Sequence, residues 1–276
     1  MAAVPSRRIS NYIRRMDKAL DCIAELLRRA ESDDRPFPPT LLFEEGWMLR
    51  LVLQWFAKSN TTGHDLSFAP DARWYSEARL ASAFLPQYRG DKLAEGYTHA
   101  DGVIGHFQIG KTGQAELTLE TDAQQFIVVE AKMFSGLSKG TTNAPTYNQA
   151  ARNVACMAEL VRRANRDPSN ISSKAFFVLA PREQLDAGVF SDFMDRPSLE
   201  RVVEGRVANY DPPKTEWFEN WFLPTLSSMR VRCLAWENVV AFIKSADRSF
   251  GDDLEIFYNR CLKFNRASNG SKAVVR

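Results

Sequence analysis

The chain has 276 residues and a mass of 31.3 kDa, with 45% hydrophobic and 25% charged residues. That is ordinary globular usage, and it excludes disordered, collagen-like and disulfide-scaffold classes. Lysine and arginine number 36 against 34 aspartates and glutamates. No global field announces a nucleic-acid or membrane partner, so any such partner must be met by a local patch.

Residues 8–30 carry Ile9, Tyr12, Ile13, Met16, Leu20, Ile23, Leu26 and Leu27 at helical spacing. Arg7, Arg8, Arg14, Arg15, Lys18, Arg28 and Arg29 fill much of the rest. The segment ESDDRPFPP at 31–39 reads as a linker. A second helix is expected over 41–57, a polar loop over 60–72 and a third helix over 74–84. The period then changes. Residues 97–132 read as a three-stranded meander, with strands near 101–109, 115–120 and 126–132. Alternation is clear in Ala115-Glu-Leu-Thr-Leu-Glu. The third strand, Phe-Ile-Val-Val, is apolar on both faces, as a central strand should be.

A loop rich in Gly, Ser and Thr covers 133–145, and a long helix is expected over 146–166. Residues 175–180 read as another buried strand and 182–209 as mostly helical. Asp211-Pro-Pro is a break, followed by a helix, a strand at 231–236 and two more helices. Strands in the middle with helices at both ends predict an α/β sandwich.

The four cysteines (Cys22, Cys156, Cys233, Cys261) form no CxxC pair and read as reduced core residues. The first residues lack the apolar stretch of a signal peptide, and the longest apolar run is far too short to span a bilayer. A soluble cytoplasmic protein with no membrane partner is expected.

Two motif matches fail on physical grounds. Gly105-His-Phe-Gln-Ile-Gly110-Lys111-Thr112 fits the P-loop pattern letter for letter. A P-loop needs a helix starting at the lysine, whose amides cradle phosphate. Here the following residues alternate with period two, so a hairpin turn is the better account and an ATPase is only a third reading. Gly136-Leu-Ser138-Lys-Gly140 fits a nucleophile elbow, but no helix signal follows the serine and no histidine lies beyond His106.

The remaining constellation comprises three acids, a lysine and a glutamine. Asp101 opens the meander, Glu130-Ala-Lys132 closes its third strand, Glu77 lies on the expected helix before it, and Gln149 on the helix after it. Glu130 and Lys132 are two apart on a strand, so they point the same way. A neighbouring strand beginning at Asp101 can bring a second carboxylate beside Glu130. Two close carboxylates repel unless a cation joins them, and hard oxygen ligands suit Mg²⁺ or Mn²⁺. His99 shares the face of Asp101 by spacing but reads as an ordinary polar histidine.

An Asp followed by Glu-x-Lys on a strand, with an acid before and a Gln helix after, resembles the PD-(D/E)xK nuclease superfamily. The resemblance covers roughly 73–180. It implies a restriction-endonuclease-like αβββαβ core with a mixed central sheet flanked by helices. It further implies that Asp101 and Glu130 bind the divalent metal and that Lys132 assists the nucleophilic water. Glu77 would contact a metal-bound water or a second ion, and Gln149 would orient the site or touch the DNA backbone. The first motif reads Ala100-Asp101, without the family's proline. On this reading residues 1–72 are a helical extension, 73–240 the nuclease-like core, and 241–276 a C-terminal helix and basic tail, together one compact domain.

The function expected is metal-dependent hydrolysis of phosphodiester bonds, with DNA as substrate. Lys139 and Arg152 are candidate phosphate contacts, the N-terminal arginines form a second patch, and the basic run after Glu255 could be an arm on DNA. The alternative is a catalytically silent module of the same fold that binds nucleic acid or a protein. A homodimer or a partner subunit is a further role for the terminal helices.

Overall fold

The stretch Phe126-Ile-Val-Val forms the centre of the sheet because both of its faces are covered. The computed structural model describes the backbone of residues 7–110 and 114–272, and the side chains of 18–110 and 114–266. Helices α1 (Arg7–Arg28) and α2 (Glu45–Ser59) precede strands β1 (Arg73–Leu80), β2 (Thr98–Gly105), β3 (Phe107–Ile109), β4 (Leu117–Leu119) and β5 (Gln125–Ala131). Helix α3 (Gln149–Arg163) leads to β6 (Ser173–Ala180). Short helices α4 (Arg182–Asp186), α5 (Ser191–Met194), α6 (Arg196–Ala208), α7 (Thr215–Trp217) and α8 (Leu223–Ser228) precede β7 (Arg230–Ala235), and α9 (Trp236–Ala246) and α10 (Arg248–Lys272) complete the described chain.

The main sheet has five strands in the order β1-β2-β5-β6-β7. β1 with β2 and β2 with β5 are antiparallel; β5 with β6 and β6 with β7 are parallel. The molecule is therefore α/β with a mixed sheet flanked by helices. Along the chain, α2-β1-β2-β5-α3-β6 is consistent with a restriction-endonuclease-like core. β5 alternates between two cores. Ile127, Val129 and Ala131 pack with α2, α9 and α10, while Phe126 and Val128 pack with α3 and α6. No helix among the described residues is long and apolar enough to cross a membrane.

Four expectations need correction. Residues 74–84 are not a helix; 73–80 form β1, held to β2 from Arg73↔Gly105 to Leu80↔Thr98. Trp74 and Tyr75 favour a pleated surface, and pairing with β2 outweighs a weak helical pattern. The expected strand over 101–109 is broken after Gly105, whose φ of +149° and close approach to the Gln125 carbonyl leave no room for a Cβ. Beyond that kink β3 and β4 form a separate antiparallel ribbon, Phe107↔Leu119. The ribbon continues as strand where a P-loop would need a helix; Lys111 and Thr112 themselves lie outside the described residues.

The basic run after Glu255 is also not a free arm where it is described. It is the end of α10, with Arg260 paired to Glu31 at 2.5 Å and Arg266 to Glu183 at 2.5 Å. Lys272 and Arg276, like the side chains of Arg7, Arg8, Arg14 and Arg15, lie outside the described side chains. Cysteines 156 and 261 are buried as expected, but Cys22 is exposed on α1.

Candidate active site

Glu130 and Lys132 sit at the C-terminal end of β5, where the strand leaves the sheet. Glu130 has even parity with Phe126 and Val128, so it faces the α3 layer, and it is only 1% exposed. The Lys132 backbone is fixed from two sides: its N–H donates to the Leu179 carbonyl (2.8 Å) and its carbonyl accepts from Trp236 Nε1 (3.0 Å). Its ammonium folds back to Glu130 Oε1 at 2.6 Å.

Asp101 comes from the adjacent strand. Its Oδ2 accepts the Ala131 N–H at 2.8 Å, which locks the carboxyl between the two residues of the Glu-x-Lys step. Its charge lies near enough to Glu130 to raise that carboxyl's pKa. Helix α3 supplies the third side. Asn148 caps it by accepting the Ala151 N–H (3.0 Å), an N-cap bond that fixes the first turn. Gln149 then donates its amide to Glu130 Oε1 and accepts the Ser138 N–H with Oε1 at 3.1 Å. One turn on, the fully buried Asn153 donates to Glu130 Oε2 at 3.3 Å. Four groups expected from the sequence, Asp101, Glu130, Lys132 and Gln149, therefore converge. Asn153 was missed, although its i, i+4 relation to Gln149 places both on one helix face.

The electrostatics follow from that packing. Burial pushes the Glu130 carboxyl up to about 8; the Asp101 charge adds to the rise, and Lys132 opposes it. Burial alone would lower the Lys132 ammonium, but Glu130, Asp101 and Glu45 together hold it above its usual range. Glu45, in the first turn of α2, was not foreseen as a site residue. Its carboxyl is raised by burial, lowered by Lys132 and raised again by Asp101, so it borders the same group of charges.

Glu77 is placed differently. It lies on β1 between the pairs Ser76↔Gly102 and Ala78↔Ala100, with a left-handed backbone at φ +59°. The strand changes phase there: Trp74 packs with the α2 core, whereas Ala78 and Leu80, also even-numbered, pack with the α3 core. The Glu77 side chain is half exposed and meets Arg50 at 3.5 Å. Burial and then Asp101 raise its pKa, whereas Arg50 and His99 lower it. It belongs to the margin of the site. His99 is exposed. Lys139 is exposed on the loop after β5, and Arg152 donates to Ser138 Oγ at 2.8 Å.

Among the described residues no group of three or more His, Cys, Asp or Glu side chains is placed to hold a metal ion. The pair Asp101–Glu130 nevertheless fits a hard divalent cation. Two adjoining carboxyls, one of them raised by burial and by the other's charge, are relieved by a positive charge between them. Mg²⁺ in particular is held by one or two carboxylates, with water or phosphate oxygen filling the rest of its shell.

No family model matches the chain, and no curated protein or solved structure matches it. Fold and site thus define a class, an α/β protein with a buried carboxylate–lysine–amide cluster at the end of a central strand.

Proposed function

We propose that the protein is a divalent-metal-dependent nuclease of the PD-(D/E)xK kind, hydrolysing phosphodiester bonds with DNA as its substrate. The observation that supports it most is the convergence of Asp101, Glu130, Lys132 and Gln149 at the end of β5. Asp101 and Glu130 would hold Mg²⁺ or Mn²⁺, which supplies Lewis-acid polarisation of a phosphoryl oxygen and an acidified water. Gln149 and Asn153 orient the Glu130 carboxylate. Lys132 keeps its charge in a dry setting, where it stabilises the negative charge that develops on phosphate. A cation held there would take the place of a proton on Glu130, and Lys132 would supply an ammonium beside the reacting group.

The test is cleavage of supercoiled plasmid and of labelled single- and double-stranded oligonucleotides in Mg²⁺ or Mn²⁺. Lys132→Met should lower the rate by about 10²–10³-fold, the loss typical of removing one preorganised charge from a reaction centre. Wild-type protein that leaves DNA and RNA intact under both metals would sink the proposal.

The silent-module reading also has an observation in its favour. Both Glu130 oxygens already accept hydrogen bonds from Lys132, Gln149 and Asn153. DNA binding without cleavage, unaffected by Lys132→Met, would select it.

A further inference from the structure

We propose that a pocket beside this site receives a backbone phosphate flanking the scissile bond, with Arg152 and Thr141 as its donors. The inference rests on the reading that the Asp101–Glu130 site works on nucleic acid, and it adds where the neighbouring part of the strand is held. The pocket has a volume of about 330 Å³ and lies between the segment leading into β2 and the turn at 141–144. Its wall includes Glu95, Tyr97, Thr98, Thr141, Thr142 and Arg152. Arg152 is one turn beyond Gln149 on α3, and Thr98 is three residues before Asp101, so the pocket adjoins the carboxylate cluster.

Its walls are preformed. Asn143 Nδ2 donates to the Ala94 carbonyl at 3.0 Å and ties the two segments together. Thr141 and Ala144 exchange backbone hydrogen bonds at 3.0 and 3.1 Å, closing the turn. Gly140 approaches the Pro145 carbonyl so closely that no Cβ fits.

Two polar atoms on this wall, Arg152 Nε and Thr141 Oγ1, are buried without a hydrogen-bond partner. Buried polar groups are nearly always satisfied, so their pairing in one pocket marks a place for an external group. Guanidinium only donates, and a hydroxyl can donate, so an oxygen that serves both must be an acceptor. Phosphate oxygens suit an arginine best. Charge agrees. Glu95, the acid on this wall, is held by Arg206 at 2.6 Å and also feels the Arg152 charge, so two guanidinium groups face a single carboxylate here.

The experiment is fluorescence anisotropy of full-length protein with a fluorescein-labelled duplex in EDTA, titrated over a range of KCl concentrations. Arg152→Gln should weaken binding about tenfold, as loss of a charged hydrogen bond does. It should also flatten the slope of log Kd against log [KCl] by about 0.9, one phosphate contact. Arg152→Lys should keep the wild-type slope, and Thr141→Val should lower affinity with the slope intact. Ser138→Ala, which removes the hydroxyl that accepts from Arg152, should change neither. An unchanged slope in Arg152→Gln overturns the pocket, as does a Ser138→Ala variant that reproduces its loss. If Arg152→Gln fails to fold, a wild-type affinity in Thr141→Val overturns it instead. Cleavage that persists beside an unchanged slope defeats the pocket alone. A slope that depends on Arg152 without any cleavage defeats the nuclease reading alone, and absence of binding by the wild-type protein defeats both.

Discussion

A glutamate walled in by β5 and α3, with a second carboxyl for a neighbour, holds its proton well above the pH at which the unfolded chain releases it. Unfolded Glu130 titrates near 4.5 and the native group near 8. Below pH 4.5 both states are protonated and the native state has its full stability. Between 4.5 and 8 the unfolded chain ionises first, so stability falls as pH rises. The melting temperature of metal-free protein should therefore drop between pH 5 and 8, and Glu130→Gln should remove that part of the drop. A melting temperature rising through this window would show that Glu130 is charged when native. Asp101, Glu130, Lys132 and Gln149 were legible because strand parity and order in the chain limit where such side chains can meet. Asn153 had a weak signal in its spacing from Gln149. Glu45 had none, because its approach depends on how α2 docks on the sheet, which no local pattern encodes.

At the level of elements, β1 was misread as a helix and Glu77 was assigned with it. The sequence Arg-Trp-Tyr-Ser-Glu-Ala-Arg-Leu has no clean period of two because Glu77 adopts a left-handed backbone and the strand changes faces there. A phase change inside a strand imitates a longer period. Left-handed backbone costs a non-glycine residue about 1–2 kcal/mol. Glu77→Gly should therefore match or exceed wild-type stability in urea despite loss of the exposed Arg50 ion pair, which contributes little. Glu77→Val, β-branched and ill suited to positive φ, should lower stability by roughly 2 kcal/mol. If Glu77→Gly proves as damaging as Glu77→Val, the ion pair and not the backbone governs this position. The long apolar strands β5 and β6 and the amphipathic α3 were placed correctly, because burial on both faces or on one stripe writes itself directly into composition.

For the molecule as a whole, the site joins the antiparallel half of the sheet to the parallel half, since β5 borders β2 on one side and β6 on the other. Order along the chain made this architecture readable; the detached β3–β4 ribbon was not, because it depends on a single glycine kink. A cation that binds the native site and not the unfolded chain must stabilise the whole protein. At a Mg²⁺ concentration tenfold above its dissociation constant the gain is about 1.4 kcal/mol. For a chain of this size that raises the melting temperature by roughly 3 °C. Asp101→Asn should abolish the increment, and a wild-type melting temperature indifferent to millimolar Mg²⁺ would remove the cation from the site.

Gly102 follows Asp101 and faces α2, where a Cβ would stand 2.9 Å from Leu49 Cδ2 and 3.0 Å from Leu53 Cδ1. The bare backbone there acts as a spacer of zero thickness between helix and sheet. Gly102→Ala inserts one methyl against Leu49 and Leu53 and should press α2 away from the sheet, and Glu45 with it, without altering any ionisable group. Overpacking of this kind costs about 1–3 kcal/mol, measurable by urea denaturation, and an unchanged midpoint would show that α2 yields freely. The same methyl gives a mechanical means of loosening the acidic rim around the lysine in graded steps, from alanine to serine, with the chemistry of every charged group left as it was.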